Sequence, residues 1–427
     1  MHQARPQFTR DVVVAITACW LAWSQAAAKA FDVAPWSMPE TAASAAQPDL
    51  ANTSRGDWLL SWVEKHDDGL HALRFSRFEF AAAEPAGVAG RWQTPITIAS
   101  GRDWFVNWAD TPHLLALDDG TLWAHWLRRN GKGIHDYGIA LVRSDDDGRT
   151  WSAPIRVEPD GAKNDYGFVS MWQHARGELG LAWLDSRQKP VAHDAAHGHD
   201  HAGAPMMLRA AVFDSRGKRG LEWPLDASTC DCCTTSSALT ARGPVLVYRG
   251  RSAGEIRDTR LVRFDGKHWS QPVSVHDDGW HFAGCPVNGP AVAARGNEVW
   301  VAWYTEADGK PSLRLGRSRD TGDTFTAPIA IAEGDGMLGR AAVAIDKDVV
   351  WLAWLAERDV DSQGQHLWLA RIDARSGAIT SKQRIADISA RGRASGLPRM
   401  QVRDGVAGLV WTDVVDGKSI LRGIIVR

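Results

Sequence analysis

Val299-Trp-Val-Ala-Trp303 and, 51 residues further on, Val350-Trp-Leu-Ala-Trp354 are two copies of one short apolar strand. Five more segments share the pattern: Asp57-Trp-Leu-Leu-Ser-Trp62, Thr121-Leu-Trp-Ala-His-Trp126, Leu179-Gly-Leu-Ala-Trp183, Val245-Leu-Val-Tyr248 and Gly408-Leu-Val-Trp411. Measured at the last aromatic, the seven copies follow one another after 64, 57, 65, 55, 51 and 57 residues. A unit of that length built on short aromatic strands is the mark of a β-propeller, where each repeat is a blade that cannot bury its faces alone.

The residues around each copy repeat a grammar of four strands. A first strand often follows a Pro, as in Thr111-Pro-His-Leu-Leu-Ala-Leu117 and Gly289-Pro-Ala-Val-Ala293. The tryptophan strand is second, and third strands read Ile139-Ala-Leu-Val-Arg143 and Leu313-Arg-Leu-Gly-Arg317. Fourth strands open on an aromatic and a Pro: Trp92-Gln-Thr-Pro-Ile96, Trp151-Ser-Ala-Pro-Ile155, Trp269-Ser-Gln-Pro-Val273 and Phe325-Thr-Ala-Pro-Ile329. The last unit, from about Leu397, has only three strands, so a segment around Phe31 to Met38 is expected to supply the fourth and leave no open edge. The reading is a single all-β domain over 31–427, a seven-bladed propeller of four-stranded antiparallel blades. Six blades is the alternative if the first unit is not one. In this topology the second-to-third turns and the connections between blades share one face, the top, and a site is expected there.

Bulk properties narrow the function classes. A formal charge of −2 gives no basic field for nucleic acid. Arg5 and Arg10 precede an apolar run, Val12 to Trp23, and the small residues Ala26-Ala-Ala-Lys-Ala30, which together read as an export signal over 1–30. The run is too short to remain as a membrane span. Ile16-Thr-Ala-Cys19 also fits a lipoprotein signal, which would leave a lipid anchor on Cys19. Either way the mature protein is expected outside the cytoplasm, periplasmic or secreted, and as a monomer. Without Cys19, four of the five cysteines remain in an oxidising compartment.

Two turns carry a recognisable motif. Ser144-Asp-Asp-Asp-Gly-Arg-Thr-Trp151 is a complete S-x-D-x-G-x-T-W Asp box, and Ser318-Arg-Asp-Thr-Gly-Asp-Thr-Phe325 is the same with Phe for Trp. The Asp and hydroxyl groups can satisfy the amides of a tight turn around a Gly, while the aromatic plugs the blade. Both boxes fall between third and fourth strands, on the face away from the expected site.

By these boxes the chain resembles the bacterial sialidase-like, Asp-box propellers, at repeat level over nearly the whole of 31–427. The resemblance implies an exo-glycosidase that binds an anionic or polar glycan. Such enzymes hold the substrate carboxylate with an arginine triad, use a Tyr–Glu nucleophile pair and protonate with an Asp. Carried onto this sequence, it proposes Arg249, Arg340 and Arg399 as the arginines, Glu255 as the acidic partner, and Asp103 or Asp110 as the proton donor.

A second constellation points elsewhere. Cys230-Asp-Cys-Cys233 lies in the connection into the fourth blade, and Gly284-Cys-Pro-Val-Asn-Gly-Pro290 in the connection into the fifth. Cys285 should therefore face the trio across one blade. The two segments resemble those of a subgroup of exported Asp-box propellers. Disulfides and a soft-metal site, with copper the first choice and zinc the second, are both open readings. His193, His197, His199 and His201, four His in nine residues of a top-face loop, can also coordinate copper or zinc. Gly250-Arg-Ser-Ala-Gly254 has the spacing of a nucleophile elbow but joins two strands, where that motif has no function. Three functions thus follow as expectations: a glycan-binding or glycan-hydrolysing propeller, a metal-binding or redox propeller, and a non-catalytic scaffold for a partner.

Overall fold

The computed structural model describes residues 30–81, 90–189, 204–358, 364–390 and 392–427. Within them lie seven antiparallel sheets and two 3-10 turns, Ala307–Gly309 and Gly392–Ser395. The sheets are the seven blades, and the six-blade alternative falls away. No helix of the described residues is long and apolar enough to cross a membrane. The export signal read over 1–30 lies, but for Ala30, outside the described residues.

In each blade the tryptophan strand is second from the axis: Trp58–Lys65, Leu122–Arg129, Glu178–Asp185, Gly243–Arg249, Glu298–Thr305, Val349–Glu357 and Val406–Val415. Successive side chains on a strand point to opposite faces, so a buried strand serves both neighbouring seams. The last aromatic of the repeat always turns toward the preceding blade. Trp303 shares a buried cluster with Val245 and Val247 of blade four. Trp354 does so with Leu313 and Leu315 of blade five, and Trp62 with Val410 and Leu421 of blade seven. A second tryptophan three residues earlier faces the other way: Trp300 joins Val350 of blade six, and Trp351 joins Leu409 of blade seven.

The N-terminal segment closes the ring as expected. Val33–Pro35 pairs antiparallel with Lys418–Val426, with Val33 opposite Val426 and Pro35 opposite Ile424. Asp32 and Arg427 exchange both backbone hydrogen bonds, at 3.1 and 2.9 Å. Phe31 and Trp36 on either side are buried. Pro35 sits in an outermost strand, the one place where its missing N–H costs nothing. Blade one departs from the expected pattern. Instead of one fourth strand at Trp92 to Ile96, two short strands, Gly90–Trp92 and Ile96–Gly101, both pair with the third strand, His71–Phe80.

Both Asp boxes form the turn their residues encode. The Ser144 hydroxyl accepts the Gly148 N–H at 2.9 Å, and Asp146 accepts the Thr150 amide and hydroxyl at 2.9 and 2.7 Å. Ser318, Gly322, Asp320 and Thr324 repeat the pattern within about 0.1 Å. The left-handed backbone covers two residues, Asp147 and Gly148 in one box and Thr321 and Gly322 in the other. Trp151 meets Phe75 of blade one edge to face, so the box aromatic also fills the seam with the preceding blade.

Hydrogen bonds from the Thr150 hydroxyl and amide, and then from Ser144, hold the Asp146 carboxyl at about 2 against an ordinary 3.8. A carboxylate held low contributes stability above its unfolded pKa and loses it as pH falls through the folded one. We therefore expect Asp146→Asn to unfold at lower urea than wild type at pH 5, with the gap closing between pH 4 and pH 2. Urea midpoints at pH 5, 3 and 2 test this, and a gap that persists unchanged at pH 2 would contradict it.

Candidate functional site

On the top face, residues 230–235 link the outer strand of blade three, Arg219–Thr229, to the inner strand of blade four, Ser236–Thr240. The turn is pinned by its own short residues. The Cys230 N–H donates to the Arg249 carbonyl at 2.9 Å. The Asp231 carboxylate accepts the Met206 N–H at 3.0 Å and Lys189 Nζ at 2.7 Å. This geometry brings three sulfurs together. Cys230 Sγ lies 3.2 Å from Cys233 Sγ and 3.8 Å from Cys232 Sγ, and all three are within 4.8 Å of one another. Among the described residues, no other trio of Cys, His, Asp or Glu ligand atoms is gathered this closely. Cys230 and Cys233 are buried thiols, while Cys232 is half-buried and disulfide-bonded to Cys285. The facing of Cys285 toward the trio, expected from the repeat, is thus observed.

The second connection, residues 275–290, is fitted against the first. A side chain at Gly289 would place its Cβ 2.0 Å from the Thr234 carbonyl oxygen, so only glycine allows this approach. Its neighbour Asn288 ties the connection to blade six, donating to the Leu338 carbonyl at 2.8 Å and accepting the Arg340 N–H at 3.1 Å. Beneath both connections lies the Arg249 guanidinium, 1% exposed. It donates to the carbonyls of Asn288, Arg257 and Tyr304 at 2.6 to 3.0 Å and stacks 4.8 Å from the Trp280 ring. A guanidinium suits such a place because its fixed fork can satisfy several carbonyls at once.

These charges act on the thiols. Burial opposes ionisation of Cys230, but the Cys233 thiol, the Cys232 amide and the Arg257 and Arg249 guanidiniums outweigh it and bring Cys230 down to about 7. Burial, together with the adjacent Cys230 sulfur, pushes Cys233 the other way. The two buried sulfurs thus differ in how readily they ionise, Cys230 being the more easily deprotonated.

The residues proposed for a glycan carboxylate are placed differently. Arg249 is engaged as described. Arg340 donates to Gly392 O and Ser395 Oγ at 2.8 and 3.1 Å and stacks on Trp108 at 4.5 Å. Arg399 donates to Thr111 Oγ1 at 2.7 Å and lies 3.6 Å from Asp49. Each of the three arginines is thus engaged with protein groups; Arg249 and Arg340 both meet Asn288, and Arg340 and Arg399 meet Trp108 and Thr111 of one segment. Glu255 forms ion pairs with Arg251 and Arg257. Asp103 is exposed and paired with Arg128 at 3.0 Å. Asp110 is 2% exposed, accepts the Phe168 N–H at 2.7 Å through one oxygen, and has no partner on the other. Burial, reinforced by the nearby Asp165, raises it to about 8. His193, His197, His199 and His201 lie outside the described residues.

One pair was not singled out from the sequence. Tyr304, at the top of the second strand of blade five, hydrogen-bonds through its hydroxyl to Glu306. The i, i+2 spacing of Tyr and Glu at a strand end was the available signal. All four tyrosines are buried, and burial and the Glu306 carboxylate raise Tyr304.

No protein-family model and no curated protein sequence matches the chain. Among solved structures it is similar to a protein of unknown function from Dyadobacter fermentans, with 15% identity, TM-score 0.50, and 92% of this chain and 99% of that one covered. It is also similar to the NanB sialidase of Streptococcus pneumoniae, at 11% identity and TM-score 0.47, with 87% and 83% covered. A third is the endosialidase of phage phi92, at 11% identity and TM-score 0.49, with 76% and 68% covered. At these identities the likeness concerns the fold alone.

The Asp110 environment yields a signed expectation. A carboxyl raised in the folded state disfavours folding once its unfolded counterpart ionises, so the penalty grows from about pH 4 and levels off above about 8. Asp110→Asn should therefore gain in urea stability relative to wild type as pH rises from 4 to 8. A difference that does not change with pH would show that Asp110 ionises normally.

Proposed function

We propose that the protein is an exported propeller whose top face carries a thiol centre for a soft metal, with Cu(I) as the ion the donor set suits best. The observation that carries this reading is the trio of sulfurs within 4.8 Å, two of them buried and unpaired in any disulfide. Thiolates are the ligands that select Cu(I), and the buried guanidiniums of Arg249 and Arg257 favour the anionic form such binding requires. Cys230 and Cys233 are the ready thiol ligands, and Cys232 and Cys285 join them as thiolates only when their disulfide is reduced. The localisation rests on the N-terminal signal, and the His-rich segment 193–201 is a secondary site for copper or zinc in the same proposal.

The test is a competition titration. Reduced protein, kept under nitrogen, is titrated with Cu(I) against a coloured chelator. We expect about one tightly held ion per chain, lost in Cys230→Ser and Cys233→Ser and retained when the four histidines of 193–201 are replaced. Equal copper uptake by wild type and both serine variants would end this reading.

A second reading, a propeller that binds or hydrolyses a polar glycan, is favoured by the Tyr304–Glu306 contact on the same face. It draws on the Asp-box resemblance, with Asp110 as the proton donor. Its difficulty is physical: the arginines that would grip a carboxylate are spent on protein acceptors. Fluorogenic sialosides and neutral glycosides decide it. Turnover that disappears in Tyr304→Phe supports it, and silence across the panel counts against hydrolysis.

A further inference from the structure

The four sulfurs form a continuous chain of contacts. Cys285 is bonded to Cys232, Cys232 Sγ is 3.8 Å from Cys230 Sγ, and Cys230 Sγ is 3.2 Å from Cys233 Sγ. The two ends differ in access. Cys232 and Cys285 are half-buried at the surface, whereas Cys230 and Cys233 have 1% exposure each. Cys230 and Cys233 also stand in C-x-x-C spacing, the arrangement in which two cysteines of one turn can close a small disulfide ring.

We infer that the four cysteines are an internal disulfide relay, in which one S–S bond moves between the surface pair Cys232–Cys285 and the buried pair Cys230–Cys233. In the first step the Cys230 sulfur gives up its proton and attacks Cys232 Sγ. The Cys230–Cys232 bond forms, the Cys232–Cys285 bond breaks, and Cys285 leaves as a thiolate that takes up a proton. In the second step the Cys233 sulfur gives up its proton and attacks Cys230 Sγ; the Cys230–Cys233 bond forms, the Cys230–Cys232 bond breaks, and Cys232 leaves as a thiolate that takes up a proton. Two thiols and one disulfide enter and two thiols and one disulfide leave, so no oxidant or reductant is needed.

The shift has two consequences for function. It releases the staple between the connection into blade four and the connection into blade five. It also delivers two thiols, from separate connections, to the solvent side of the face. Those thiols can then exchange with a disulfide of an external molecule, an activity that the protein with its surface disulfide closed does not have. The relay shares the sulfurs of the proposed metal centre but does not use the metal.

The test uses metal-free wild-type protein in chelator, with copper uptake measured on separate samples, so that either proposal can fail alone. Folded protein is incubated with N-ethylmaleimide. It is then unfolded and labelled with iodoacetamide, reduced, and labelled with a third reagent, and each cysteine is read by peptide mass mapping. We expect Cys232 and Cys285 to gain maleimide in the folded protein while Cys230 and Cys233 become linked to each other. In Cys230→Ser the labelling of Cys285 should slow by about tenfold or more, because the route is cut. Cys285→Ser should be isolated with Cys230 and Cys233 bonded and Cys232 free. If folded wild type never labels at Cys232 or Cys285, and Cys230 and Cys233 are found only as thiols after unfolding, the relay does not exist. Labelling at equal rates in wild type and Cys230→Ser would overturn it too, since the bond would be opening without Cys230.

Discussion

The wedge between neighbouring blades has to be filled from both sides by one strand, and that requirement organises this molecule. Radially arranged sheets diverge as they leave the axis, so the space between them widens and must be packed to interior density. Trp300 and Trp303 show the solution: three residues apart on an alternating strand, they fall on opposite faces and enter different seams. Trp351 and Trp354 repeat it one blade on. Truncating a buried tryptophan of this kind costs about 3–5 kcal/mol, so each seam is a substantial share of the stability of a whole domain.

This is also why the fold was so legible. A large aromatic needed at a fixed place in every seam leaves a mark in the sequence at every repeat, and the closing strand at Val33–Pro35 could be inferred from the strand the last repeat lacks. The Asp boxes were equally transparent, because their hydrogen bonds run between residues at most four apart. Blade one was misread in its outer strands, since a chain that pairs twice with the same partner has no distinctive pattern. The site was legible only in part. Loop topology placed Cys285 opposite the Cys230, Cys232 and Cys233 trio, but which sulfur would bond, and which would be buried, depends on contacts between segments about 50 residues apart.

Charged residues were the least legible of all. Arg249, Arg340 and Arg399 lie on the expected face, yet their partners are protein carbonyls, hydroxyls and, for Arg399, the Asp49 carboxylate. Sequence shows a charge without showing its acceptor. A face built from irregular connections carries many carbonyls that no strand ladder can satisfy, and buried ones need donors. Arginine meets that need, so its presence near a propeller axis is explained by the architecture before any ligand is considered. The thiols have no such structural excuse. Cys232 staples two connections through Cys285, but the buried Cys230 and Cys233 contribute little packing that alanine or valine would not, and that asymmetry is what shifts the functional reading toward sulfur chemistry.

Finally, the seventh blade joins Val33 to Val426. A ribosome or a translocation pore releases a chain in order, so the strand delivered among the first meets its partner only when nearly everything else has emerged. During that interval Phe31 and Trp36, buried in the finished ring, stand in water, and the strand that will accept them does not yet exist. Early blades can stack as they appear, but the ring stays open until Lys418–Val426 meets Val33–Pro35. A ring lacking either partner of this pair would keep two open strand edges that the closed ring does not have.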